Sequence, residues 1–228
     1  MRWVRVSTIC VVSGLGLTLG GCSSGGERPK EVVDNGPAPA PAAGVIRLPF
    51  LVDDYFIPNG CFGDVDCKGG VISIDNHGCE DVPQTAQSGC RLYSYKPSPA
   101  GTPGHQNYLG ILFQDVGPGG ESQIGKVPPL PIQPGAKRSV FWAKVGAGPQ
   151  KVAFRAGGAN NWDGNTDPSL PYKDTFGVPG DVTLTEDFQQ IVIDLSGVEY
   201  RDVVSPFGWA IEDATDQVDL YIADVRWE

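Results

Sequence analysis

The chain has 228 residues, with 27 Asp and Glu against 17 Lys and Arg, for a formal net charge of −10 at pH 7. That acidity argues against nucleic acid and against adsorption to anionic lipid, and it suits solubility or cation binding. Gly and Pro are abundant, at 31 and 20 residues, and Met occurs once.

The first segment reads as an address. Arg2 and Arg5 form a short basic head, and residues 6–19 that follow are almost free of charge. A run of about 14 residues suits the core of a signal peptide and falls short of the ~20 needed to span a bilayer. The run ends in Leu19-Gly20-Gly21-Cys22, which resembles a bacterial lipobox. The resemblance implies cleavage after residue 21 and a lipid on the Cys22 sulfur. An ordinary secretory signal with a chance cysteine is the other reading. Ser23, rather than Asp, follows the cysteine, which by resemblance to bacterial sorting rules favours the outer membrane. Residues 22–44 then run through Gly, Ser, Pro and Ala without apolar periodicity. They are expected to be a disordered linker, flexible at first and stiffer through the Pro-Ala alternation. The organisation expected is therefore a signal peptide over 1–21, lipid-attachment cysteine and linker over 22–44, and one domain over 45–228.

Four cysteines, Cys61, Cys67, Cys79 and Cys90, lie in the exported part. An even number outside the cytoplasm suggests disulfides, with three possible pairings. Cys61–Cys67 and Cys79–Cys90 are favoured because each closes a short loop. A zinc site is the competing idea, but the spacings contain no CxxC and neither histidine lies close in sequence.

From residue 45 onward the chain reads as strands. Short runs with alternation and with β-branched or aromatic residues fall near 45–52, 70–74, 91–96, 108–114, 139–145, 151–156, 181–185, 190–195, 207–212 and 218–227. Gly, Pro, Asn and Asp separate them, and no stretch has a clean helical period. Ten strands without a helix predict an antiparallel β-sandwich or barrel. Alternation also assigns faces. Phe141, Ala143 and Val145 share one face, with Trp142 and Lys144 on the other. Val152, Phe154 and Ala156 oppose Arg155. Phe207, Trp209 and Ile211 point inward, so Trp209 is expected in the core. Trp142, Lys144 and Arg155 are expected together on the outer face of adjacent strands. In "VDLYIADVRWE" Asp224 falls in phase with Leu220 and Ile222. A core-facing carboxylate is costly unless it is paired or bound to a cation, and a bulge is another way to turn it.

The stretch from "VTLTEDFQQIVIDLSG" to "VVSPFGWAIEDATDQVDLYIADVRWE" resembles the C-terminal half of bacterial carbohydrate-binding modules of the galactose-binding-like jelly-roll type. "SVFWAKVGAGPQKVAFRAGG" is similar to the middle hairpin of that pattern, and "FLVDDYFIPNGCFGD" to an N-terminal motif of related exported proteins. The resemblance spans most of 45–228 and implies that jelly-roll fold. It further implies that Asp224, with Asp53 or Asp54, ligates a structural calcium between the first and last strands. Oxygen ligands and surplus acid suit that ion.

Two other acidic stretches bear on calcium. "NNWDGNTD" at 160–167 places oxygens at every second position, but Pro168 stands where an EF-hand loop needs glycine, which favours a polar turn. In "DVDCKGG", Asp64, Asp66 and Gly69 fit the start of such a loop and Asp75 its twelfth position, but Lys68 takes a ligand place.

Trp162 sits between Asn161 and Asp163. Sugar rings present C–H faces that pack on exposed aromatics, while amides and acids take the hydroxyls. Together with Trp142, Arg155 and Gln114, this trio is a candidate binding face; the alternative is that Trp162 folds back and caps the core. Catalysis has little support. No GxSxG, HExxH or SxxK motif is present, and no E-x-D-x-x-E strand motif marks a glycosidase. The expected function is non-catalytic binding of a polysaccharide or cell-wall polymer by a lipid-anchored protein of the cell envelope. Membrane contact would be through the lipid alone, with no nucleic acid bound. The alternative is a structural or protein-interaction β-sandwich without a sugar site.

Overall fold

The alternation seen in the sequence becomes two antiparallel sheets packed face to face. The computed structural model describes residues 44–64, 72–75, 79, 81–86, 89–114, 130–157, 178–200 and 202–228. In chain order the strands are β1 (Phe50–Leu51), β2 (Ile57–Gly63), β3 (Ile72–Asp75), β4 (Cys90–Tyr95), β5 (Tyr108–Gln114), β6 (Leu130–Pro131), β7 (Arg138–Val145), β8 (Gln150–Ala156), β9 (Val178–Leu184), β10 (Gln189–Asp194), β11 (Asp202–Val203), β12 (Phe207–Glu212) and β13 (Val218–Trp227). A 3-10 turn lies at Val52–Asp54, and among the described residues no helix is long and apolar enough to cross a membrane.

One sheet runs β10-β7-β13-β4-β3, with β1 added beside β13, and the other runs β2-β5-β12-β8-β9. β6 and β11 form a separate two-stranded pair. The fold is an all-β antiparallel sandwich, as expected. The core lies between the sheets. Phe141 of β7 meets Phe154 of β8 and Phe207 of β12 with centroids 4.7 and 4.9 Å apart. Tyr93 of β4 meets Trp209 of β12 edge-on at 4.9 Å. Rings from both sheets thus interlock in edge-on and tilted contacts, which the aromatic quadrupole favours. Each fully buried aromatic side chain contributes roughly 1.5–3 kcal/mol of transfer free energy. Trp209 is buried, as its phase in β12 predicts. Cys79–Cys90 forms as expected, with Cα atoms 5.7 Å apart. Cys61 is also disulfide-bonded; Cys67 lies outside the described residues.

The strand expected over 45–52 narrows to β1 at Phe50–Leu51, which the 3-10 turn ends. Two other features depart from the sequence-based expectation. β2 falls where Pro58, Asn59 and Gly60 suggest a turn. It is an edge strand whose register shifts between Pro58 and Gly60, and a sheet edge tolerates a residue without an N–H. The second departure concerns β7 and β8. Four residues separate them, yet they belong to different sheets: β7 pairs with β10 and β13, and β8 with β12 and β9. Trp142 and Lys144 therefore point out of one side of the sandwich and Arg155 out of the other. The expected cluster of those three residues is corrected accordingly. Alternation fixes which face a residue takes but not which strand lies next to it.

Candidate functional site

The outward positions of the β2-β5-β12-β8-β9 sheet form one ordered surface. Leu109, Ile111 and Phe113 of β5 enter the core, as do Phe207, Trp209 and Ile211 of β12 and Val152, Phe154 and Ala156 of β8. The alternate residues point outward. Register aligns Phe62, Gly110, Ala210, Ala153 and Asp181 in one row across all five strands. At ~4.8 Å per strand the row is roughly 19 Å long. The next row is Gly60, Leu112, Gly208 and Arg155. On the other flank Tyr108 is paired with Glu212.

Small residues let large side chains lie down on this sheet. A Cβ at Gly110 would overlap the Phe62 ring, and one at Gly208 would overlap Leu112. A Cβ at Gly60 would overlap the Gln114 amide. The rings of Phe62 and Tyr108 sit 6.3 Å apart, and Tyr108 is 38 % exposed. Beyond the small residues Gly110, Ala210 and Ala153 the far side is charged. Arg155 is exposed there, and Lys151 pairs with Asp181 at 3.2 Å. The arrangement is a shallow platform with aromatics at one side and hydrogen-bonding charges at the other.

A buried carboxylate holds the aromatic side in place. Asp64, next to the end of β2, is buried. It accepts hydrogen bonds from the Ser98 N–H at 2.6 Å, the Gln106 N–H at 3.1 Å, the Tyr95 hydroxyl at 3.3 Å and the Ser98 hydroxyl. These bonds tie the segment leading to Tyr108 onto the strand that carries Phe62. Burial pulls the Asp64 carboxyl upward, but the Ser98 and Gln106 donors and the nearby His105 outweigh it and hold the group below its ordinary value. Burial, reinforced by Asp64, pushes the Tyr95 hydroxyl up to about 12. His105 Nδ1 lies 2.8 Å from Ser98 Oγ. The order is acid, serine, imidazole, whereas a Ser-His-acid relay needs the imidazole in the middle. Of the residues that fit the start and twelfth position of a calcium loop, Asp66 and Gly69 lie outside the described residues. Asp64 is engaged by the β4–β5 segment, and Asp75 lies in β3 paired with Leu92.

Of the expected binding residues, Gln114 and Arg155 share the five-stranded platform, Gln114 buried and Arg155 exposed. Trp142 stands on the opposite side of the sandwich, paired with Gln190 and Ala223. Nearby, Lys144 Nζ lies 4.9 Å from the Phe188 centroid and 5.0 Å from that of Tyr221. Trp162, Asn161 and Asp163, and Cys22, where the sequence suggests a lipid, lie outside the described residues. Phe62 and Tyr108 were not singled out from the sequence. Phe62 lies on the strand that Pro58-Asn59-Gly60 disguises, and Tyr108 reads as an ordinary first residue of β5.

The expected metal ligands come together at a seam. β4 pairs with β13 as far as Ala223, and β1 takes over at Arg226. Between them a register shift forms a bulge, where buried Asp224 has a φ of 57°. Asp53 lies in the 3-10 turn beside it. Burial, with the charges of Asp54 and Asp224, raises the Asp53 carboxyl despite the Arg91 guanidinium. Arg91 Nη2 is 2.8 Å from Asp53 Oδ1, and Arg226 Nη2 is 2.8 Å from Asp224 Oδ2. Calcium takes 6–8 oxygen ligands at 2.3–2.6 Å. Here Asp53 and Asp224 each meet a guanidinium, and among the described residues no three His, Cys, Asp or Glu side chains are grouped to hold a metal.

No protein-family model matches the chain, and no curated protein matches it. Solved structures do. One is the family 11 carbohydrate-binding module from Clostridium thermocellum in complex with a β-1,3-1,4-mixed-linked tetrasaccharide, at 9 % identity, 76 % of this chain, 94 % of that chain and a TM-score of 0.41. A family 30 carbohydrate-binding module matches at 11 % identity, 75 % of this chain, 82 % of that chain and a TM-score of 0.43. The K1 cleaved adhesin domain of Lys-gingipain from Porphyromonas gingivalis matches at 13 % identity, 79 % of this chain, 96 % of that chain and a TM-score of 0.36.

Proposed function

We propose that this protein binds a polysaccharide without cleaving it, on the outer face of the five-stranded sheet. The observation that carries this reading is the platform: Phe62 laid across Gly110, Tyr108 exposed beside it, and Arg155, Lys151 and Asp181 across the small residues. Aromatic rings supply a surface for sugar C–H faces, and the charged side chains supply partners for hydroxyls. Glu212, opposite Tyr108, adds an acceptor at the aromatic flank. A sugar site of this kind needs no nucleophile and no proton relay; it needs a surface already in place before the ligand arrives.

The rest of the proposal concerns placement. Cys22 would carry the lipid, and residues 22–44 would tether the domain to the bacterial envelope, at the outer membrane. The lipobox resemblance at Leu19–Cys22 and the Pro-Ala composition of the linker support it.

The test is retention of the full-length chain on a panel of insoluble polymers: cellulose, chitin, xylan and peptidoglycan. Retention on at least one, competed by soluble fragments of that polymer, supports the reading. A folded protein retained on none would shift the assignment to a structural or protein-binding sandwich.

A further inference from the structure

The seam between the first and last strands holds two carboxylates of separate origin, half-buried Asp53 from the 3-10 turn and buried Asp224 from the β13 bulge. A carboxylate withdrawn from water needs a cation as partner. The chain supplies two. Arg91 comes from β4, on the core-facing side shared with Tyr93 and Tyr95, and its guanidinium lies 5.9 Å from the Phe113 centroid while contacting Asp53 at 2.8 Å. It therefore links the turn to β4 and touches the opposite sheet. Arg226 follows the bulge, pairs in register with Leu51 of β1, and contacts Asp224 at 2.8 Å. Guanidinium is more weakly hydrated than ammonium or a divalent metal ion, and its planar fork suits buried carboxylates. A metal ion at the same carboxylates would have to displace both arginines and leave two cations facing it.

We infer that Arg91 and Arg226 do the work of a metal ion at this seam, Arg91 holding the 3-10 turn to β4 and Arg226 neutralising Asp224 within the bulged last strand, so that the domain folds and holds without calcium.

The wild-type full-length chain, stripped with EGTA, is melted with and without millimolar CaCl2, and its bound metal is measured by emission spectroscopy. The expected result is no retained metal and a Tm that calcium moves by less than about 2 °C. A specific site at a hundredfold its Kd raises the Tm of a domain this size by roughly 5–10 °C. Stoichiometric calcium, or a rise above about 2 °C, would overturn the inference. The variant Arg226→Met leaves Asp224 without its guanidinium and is expected to lower Tm by at least about 5 °C. Arg226→Lys, which keeps the charge, is expected to recover part of the loss. An unchanged Tm in Arg226→Met would contradict the role given to the arginine. Should that variant fail to fold, the calcium measurement on the wild-type chain decides alone.

Discussion

Both outer faces of the sandwich carry aromatic side chains, and the two use them differently. On the five-stranded face, Phe62 lies over Gly110, Tyr108 stands 38 % exposed beside Glu212, and Arg155, Lys151 and Asp181 lie across a strip of small residues. On the other face, Lys144 sits against the rings of Phe188 and Tyr221, reaches Asp81 at 4.0 Å, and the Cys79–Cys90 disulfide holds the neighbouring segment to β4. There the aromatics already have a cation as partner. The lesson is that outward-facing aromatics do not by themselves make a binding face. What matters is whether small residues beside them leave room and whether the protein's own side chains fill it.

The largest expected effect comes from the support beneath the five-stranded face. Asp64→Ala leaves the Ser98 and Gln106 N–H groups without their acceptor and is expected to cost about 3 kcal/mol, read by urea unfolding. The carboxyl's value is lowered on folding, so its contribution is full above about pH 4, the unfolded value, and is lost as pH falls through the lower folded one. The acid limb of the pH–stability curve should therefore flatten in Asp64→Ala; an unchanged limb would remove Asp64 from this role.

Trp142→Ala should cost about 2 kcal/mol by thermal melting, because a partly buried indole packed on β10 and β13 is removed, while polysaccharide retention stays unchanged. Gly110→Ala should cost about 1.5 kcal/mol, since its Cβ meets the Trp209 carbonyl oxygen as well as the Phe62 ring. Unlike Trp142→Ala it should also weaken binding, because the ring must move. Smallest is Lys144→Ala. Two cation–π contacts and a long ion pair to exposed Asp81 amount to about 1 kcal/mol, with no change in binding. A large loss of binding in Lys144→Ala would reverse the roles of the two faces.

The sequence made most of the sandwich legible, because strands with one buried face alternate cleanly. β5, β12 and β13 fall at the positions their patterns predict, and Trp209 is buried as its phase requires. The candidate site was less legible. Gln114 and Arg155 lie on one face, but joining them to Trp142 required β7 and β8 to be sheet neighbours, and side-chain period carries no information about pairing partners. Phe62 escaped notice because Pro58 and Gly60 break the pattern of an edge strand whose backbone nonetheless pairs with β5. The phase of Asp224 hinted at its burial, and the bulge reorients it without exposing it. Nothing local in the sequence indicates that Arg91, 38 residues beyond Asp53, is its partner.

The most direct test compares Tyr108→Ala and Trp142→Ala, both as full-length chains shown to be folded, on a polymer that retains the wild-type protein. Tyr108→Ala is predicted to lose about tenfold in affinity, equivalent to ~1.4 kcal/mol, while Trp142→Ala binds as wild type. Full binding by Tyr108→Ala together with loss in Trp142→Ala would place the site on the opposite face and contradict the account.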